Sequence, residues 1–236
     1  MFIKKGDILK KNKTGFTLAE VLITSGIIGV VAAMTIPTLM TRIKAAKLNS
    51  QFKKAHSTVL QAYRLMLADD ISVDPSDYND SKTFYKTYMR YFQGAFDCGN
   101  VQEKTYKVVL PCYYRTTKGY KTLDKKSNVD YTYLNDGQIA LQNGSLILVE
   151  NYMGRLWVHI DINGYNNKPN VWGADLFTFE FLDSGLTAMG STGTTYSDTD
   201  EYCNKDKRSS FNGIACTKKA IEDPDYFKKI VKDLKL

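Results

Sequence analysis

Three groups of residues in this 236-residue chain have types and spacings that invite chemistry. The first is Glu20, the single charge among the 25 residues from Phe16 to Met40. An ionisable side chain inside a membrane-length apolar run costs about 2.5 kcal/mol or more near its centre, and marks a functional position. No local structural task is evident for it. The second group is four cysteines, Cys98, Cys112, Cys203 and Cys216. They contain no C-x-x-C pair, which disfavours zinc ribbons and thioredoxin-like chemistry. An even count in an exported chain favours disulfides. Of the three connectivities, the sequence-local one (Cys98–Cys112 and Cys203–Cys216) is preferred, each loop of about 15 residues contributing ~3 kcal/mol in the chain-entropy model. Free thiols in a reducing compartment are the alternative. The third group is the Asp-, Asn- and Gly-rich stretch 161–175, where Asp161, Asn163, Asn170 and Asp175 are candidate calcium ligands, because hard cations take oxygen donors. The EF-hand spacing fails there, since its twelfth position is Trp172 where a bidentate Glu is needed. An Asx-rich turn held by side chain–backbone bonds is the competing reading.

Other chemistry is missing. There is no H-E-x-x-H, no G-x-S-x-G, no P-loop and no dinucleotide fingerprint. The two histidines, His56 and His159, read as surface residues of a helix and of a sheet. A non-enzyme is expected, with no required cofactor beyond the calcium candidate.

The elements that must position these residues begin with the apolar run. At ~1.5 Å per residue, a helix over 16–40 reaches across a hydrocarbon layer of ~30 Å. Lys4, Lys5, Lys10, Lys11 and Lys13 against Asp7 stand before it, and that basic flank predicts a cytoplasmic N-terminus and an exported remainder. An ordinary secretory signal has a shorter apolar core followed by an A-x-A-like site, and none stands convincingly after this run.

Lys13-Thr14-Gly15 followed by Phe16-Thr17-Leu18-Ala19-Glu20-Val21-Leu22-Ile23 resembles the N-terminus of type IV prepilins and of type II secretion pseudopilins. The resemblance covers about the first 50 residues. It implies cleavage by a prepilin peptidase between Gly15 and Phe16 and methylation of the new Phe16 amine. Glu20 would then meet the Phe16 amine of a neighbouring subunit. The physics is consistent: a buried carboxylate is tolerated when a cation pairs with it, and an axially offset neighbour supplying that cation would select one register. Pro37 resembles the helix-distorting proline of type IV pilins and should kink or locally melt the helix. The Cys203–Cys216 pair resembles the disulfide-bounded C-terminal region of many pilins.

Behind the anchor, Ala45, Leu48, Phe52, Ala55, Val59, Ala62 and Met66 recur at intervals of three and four, the seam of an amphipathic helix. A shorter helix is expected from Lys82 to about Gln93, and a strand over Tyr106–Leu110, with a surface loop from Lys118 to Asn128. A hairpin follows over 137–150 with Asn143-Gly144 at its turn. Further strands are expected at Arg155–Ile162, Leu176–Phe181 and Leu186–Met189. The organisation is therefore a leader (1–15), a membrane or filament-core helix (16–40), an amphipathic continuation (41–68) and a C-terminal domain (69–236). The fold class is α+β, a long helix packed on an antiparallel sheet.

The formal charge of +7 falls to +3 once the leader is removed, so nucleic acid is not an expected partner. The expected function is a structural subunit, a pilin or pseudopilin that polymerises through its helix. Its partners would be the peptidase, sister subunits, the inner-membrane assembly platform and, before assembly, the membrane. The alternative is a membrane-tethered binding module or minor tip subunit that recognises a ligand, DNA or a surface.

Overall fold

A computed structural model describes residues 15–78, 80, 83–100, 111–113 and 119–236. Nearly all of the leader and the expected strand over Tyr106–Leu110 lie outside the described residues. The chain divides into two units, 1–40 and 41–236, and helix α1, Leu18–Ala68, contributes to both.

In the first unit the side chains of α1 stand free: Phe16 is 88% exposed, and Leu22, Ile23, Ile28 and Met34 are exposed with it. Among the described residues this is the one helix long and apolar enough to cross a membrane. The helix runs unbroken through Pro37. The local melting expected there does not occur: the proline removes one donor, and the helical pattern continues on both sides.

The second unit opens with the seam. All seven predicted seam residues are buried, joined by Tyr63. They pack on β5 (Leu176–Leu182), with Phe52 against Phe177 at 4.5 Å and Tyr63 against Phe181 at 5.6 Å between ring centroids. The helix ends where Asp70 takes a left-handed conformation (φ 54°) and Ile71 N–H donates to the Met66 carbonyl at 2.9 Å, a Schellman-type stop.

The sheet is an antiparallel meander in sequence order. It comprises β1 (Phe96–Gly99), β2 (Gly137–Ala140), β3 (Leu146–Tyr152), β4 (Arg155–Asp161), β5 and β6 (Gly185–Ala188). The hairpin and the strands of 155–189 are where the alternation places them. Strand β1 was not expected; it pairs with β2 through an irregularity between Asp97 and Gly99. The expected helix at 82–93 is α2, Phe84–Met89, within the described residues. Beyond it Tyr91 and Phe92 N–H groups bond three residues back, a tightened turn that closes the helix.

Register separates the two faces. Ile147, Val149, Val158, Ile160, Phe177 and Phe179 stand opposite one another across β3, β4 and β5, and Phe177 and Phe181 carry that row onto α1. The other face is also covered, by the segment after β6 with helices α3 (Thr199–Tyr202) and α4 (Cys216–Glu222). Thr217 Oγ1 accepts the Thr178 N–H of β5 at 2.9 Å. Helix α5, Tyr226–Asp233, returns to the first face, with Phe227 5.6 Å from Phe52.

The two covered faces correct both histidine expectations, the second layer burying His159 and the first face half-burying His56. His159 is fully buried, not on a sheet surface: its Nδ1 lies 2.9 Å from Thr178 Oγ1 and its ring 5.9 Å from that of Trp172. Burial depresses its pKa to about 3. His56 is half-buried and stacks on Phe179 at 5.3 Å, and burial lowers its pKa too.

Candidate functional site

The start of α1 shows what the sequence reading missed. Thr17 Oγ1 accepts the Glu20 N–H at 3.2 Å, while Glu20 Oε2 accepts the Thr17 N–H at 2.8 Å and the Thr17 hydroxyl at 2.9 Å. This is a reciprocal capping box, in which two otherwise orphaned helix donors are satisfied by side chains three residues apart. Glu20 therefore has a local structural task. The signal was in the letters, since Thr17-Leu18-Ala19-Glu20 is the pattern S/T-x-x-E ahead of an apolar run. One carboxylate oxygen does this work; Oε1 accepts no hydrogen bond among the described residues. Gly15 and Phe16 precede the helix in non-helical backbone, and a Cβ built on Gly15 meets nothing within 4 Å. The Gly15–Phe16 bond is accordingly outside hydrogen-bonded structure, with an exposed aromatic next to it.

The cysteines form two bonds, Cys98–Cys112 and Cys203–Cys216, with no free thiol among the described residues. The second ties the C-terminus of α3 to the N-terminus of α4. It thereby clamps the layer that covers the second sheet face.

Loop 161–175 brings its four candidate residues together as a turn. Asp161 Oδ1 accepts the Asn163 and Gly164 N–H groups (3.2 and 2.8 Å), and its Oδ2 accepts the Tyr120 hydroxyl at 2.8 Å. Asp175 accepts the N–H groups of Asn170 and Val171, both at 2.7 Å. Asn163 and Asn170 donate to loop carbonyls. Both carboxyls are fully buried, and desolvation raises their pKa values, the charge of Asp161 adding to the rise at Asp175. Only Asn163 Oδ1 and Asn170 Oδ1 remain as buried oxygens of the loop without a partner. Every oxygen of the two carboxylates accepts a hydrogen bond from the protein's own donors. Among the described residues no cluster of three or more His, Cys, Asp or Glu is arranged to hold a metal. The Asx-turn reading is the one these bonds support.

Residues 10–36 match the family model described as "Prokaryotic N-terminal methylation motif", the signature of type IV prepilins and pseudopilins. No match was found among curated proteins or among solved structures. The signature is that of a processed, pilin-like precursor and belongs to structural subunits. With the single apolar helix, it fits a single-pass, membrane-anchored protein of the cell envelope.

Proposed function

From the prepilin and pseudopilin signature that the chain carries at residues 10–36, we propose that it is a structural subunit of a type IV pilus or a type II secretion pseudopilus. A prepilin peptidase cuts between Gly15 and Phe16, the Phe16 amine is methylated, and the mature subunit polymerises through residues 16–40 of α1. Sister subunits and an inner-membrane assembly platform are its partners, and the domain from Thr41 onward is exported.

The observation that carries this reading is the unpartnered apolar surface of α1, exposed from Phe16 to Ile43, beginning at a carboxylate with one oxygen uncommitted. Burying apolar surface yields about 25 cal/mol per Å². Lipid takes up that surface before assembly and neighbouring helices take it up afterwards. Gly26 and Gly29, each with open space where a Cβ would stand, allow close helix approach. The Glu20 Oε1 atom then accepts the cationic Phe16 amine of an axially offset neighbour.

Coexpression with a prepilin peptidase and mass spectrometry of the mature N-terminus tests the reading. A methylated chain beginning at Phe16 is expected; an intact leader, or a cut at another bond, sinks it.

A further inference from the structure

Neither cleavage nor helix packing gives a role to the basic residues after the apolar run. Between Glu20 and Asp69 the chain holds Arg42, Lys44, Lys47, Lys53, Lys54 and Arg64 and not one acid. Five of the six fall within about 15 residues of Met40, as many as the leader's lysines. Basic residues close behind a span weaken the charge asymmetry that favours export of that side, so topology does not explain them.

The fold gathers two of them around a pocket of about 530 Å³ inside the second unit. Lys44 and Lys47 reach it from the first turns of α1 in this unit, and Lys168 from the loop after β4. Leu48 and Pro169 give it apolar wall. The β2–β3 turn closes it at Asn143 and Gly144. The Asn143 side-chain oxygen is taken by the Ser145 N–H (3.0 Å) and hydroxyl (2.6 Å), so the amide nitrogen is what that side chain has left to offer. No aspartate or glutamate side chain lines the pocket; Gln51, Asn163 and the last residue, Leu236, do, and the side-chain oxygens of Gln51 and Asn163 are buried acceptors without a partner, which a protonated headgroup hydroxyl or ammonium could satisfy. None of the three lysine side chains is in an ion pair or hydrogen bond among the described residues. The walls are fixed by a close approach: Gly164 (φ +80°) lies so near the turn that a Cβ there would stand 2.1 Å from the Gly144 carbonyl oxygen.

Three lysines whose side chains have no partner among the described residues, with an amide donor, line one partly apolar pocket, a set that suits a phosphate oxyanion attached to something greasy. Position on the chain selects the source. At ~1.5 Å per residue, Lys44 and Lys47 follow Met40 by about 6 and 10 Å of helix, so Lys44 falls within the headgroup layer of roughly 5–7 Å on each side of the hydrocarbon and Lys47 stands just beyond it, within side-chain reach. We infer that the pocket formed by Lys44, Lys47, Lys168 and the 143–144 turn binds the phosphate of an anionic phospholipid headgroup. This rests on the membrane-anchored reading of residues 16–40, but not on cleavage or polymerisation. Its consequence is a chain whose second unit is held at the bilayer surface by more than its anchor.

The full, unprocessed chain in a neutral detergent provides the test. Its thermal unfolding, followed by the emission of Trp157 and Trp172, is titrated at constant ionic strength with dihexanoyl phosphatidylglycerol, dihexanoyl phosphatidylcholine or inorganic phosphate. The anionic lipid should raise Tm saturably, inorganic phosphate more weakly, and the zwitterionic lipid not at all. Each lysine near an anionic surface is worth about fivefold in affinity. Lys44→Gln, Lys47→Gln and Lys168→Gln together should therefore weaken binding on the order of a hundredfold, while Arg at the same three positions preserves it. Gln at Lys53, Lys126 and Lys232, exposed positions away from the pocket, should leave it unchanged. The assignment is overturned if phosphatidylglycerol gives no shift, if phosphate shifts Tm and the lipid does not, or if the control triple loses as much as the pocket triple. Flotation with pure phosphatidylcholine vesicles reports anchoring separately, so loss of the anchor and loss of the pocket give different results.

Discussion

Replacing Phe52 by Ala separates the two halves of α1. Phe52 is 2% exposed and lies between Phe177 and Phe227, at 4.5 and 5.6 Å. Truncating a buried Phe costs about 3–5 kcal/mol, the lost transfer energy plus the cavity left behind. In a domain of this size each kcal/mol moves Tm by about 2–4 °C, so a fall of about 6–20 °C is expected. Both tryptophans, Trp157 and Trp172, are buried in the second unit, so their emission reports unfolding of that unit without a signal from the membrane segment. The control is Lys53→Ala, one residue further along the same helix and exposed; substitutions at such surfaces stay within about 0.5 kcal/mol. A Phe52→Ala melt indistinguishable from that of Lys53→Ala would refute the claim that residues 45–66 form one wall of the core. Cleavage after Gly15 should proceed equally in both variants, because the bond lies far along the chain from either substitution.

The remaining predictions concern protonation and covalent closure. Glu150 is buried beside Asp136, and desolvation together with that neighbour raises its pKa from 4.5 to about 8. The folded protein therefore keeps a proton that the unfolded chain has lost between pH 4.5 and 8, so stability falls as pH climbs through that window. Glu150→Gln should remove a dependence on the order of a few kcal/mol, read as Tm at pH 5 against pH 8.5; an unchanged slope would contradict it. His159, with its pKa depressed to about 3, acts in the opposite sense. Stability is lost as pH falls from about 6.5 toward 3, and His159→Gln should flatten the acid limb. Removing Cys203–Cys216, which closes a 13-residue separation, should cost about 3 kcal/mol, or roughly 6–12 °C; an unshifted melt of the double Ser variant would show that the clamp on the second layer is dispensable.

How far the sequence could be read follows from where periodicity and spacing carry the information. The seam of α1 was legible residue by residue because a helix facing one sheet repeats at three and four, and nothing else along 45–66 competes with that stripe. Strands β3, β4 and β5 were legible because their aliphatic rows alternate. The second face was not. Glu150, His159, Thr178 and Glu180 alternate with those rows and look like a solvent face, yet all four are buried. Most of their polar atoms find a partner, His159 Nε2 being a buried exception: Glu180 accepts from Arg155 at 3.3 Å and from Thr195 at 2.6 and 2.7 Å. Those partners come from segments whose docking no local pattern announces. A polar residue on a strand says that it needs hydrogen bonds, not whether water or protein supplies them. The loop at 161–175 stayed open between two readings for a related reason. Asp, Asn and Gly are the residues of both a cation loop and a self-bonded turn, and only the geometry of the acceptors decides between them.

Glu20 carries that ambiguity into the function. Its Oε2 caps the helix through Thr17, a task any acceptor of similar length performs, and Gln is as usual as Glu in the box. Pairing with a neighbour's ammonium requires charge, because a neutral amide gains far less from a cation in a low-dielectric filament core than a carboxylate does. The two roles therefore part at Glu20→Gln, which keeps the cap and loses the charge, whereas Glu20→Ala loses both. If register selection is electrostatic, both variants should be cleaved after Gly15 and leave the Tm of the second unit unmoved, and both should fail to enter filaments in a coexpression assay. If Glu20 serves only as a cap, Glu20→Gln should assemble like the parent chain. That single outcome would remove the electrostatic argument while leaving the processed, anchored subunit intact.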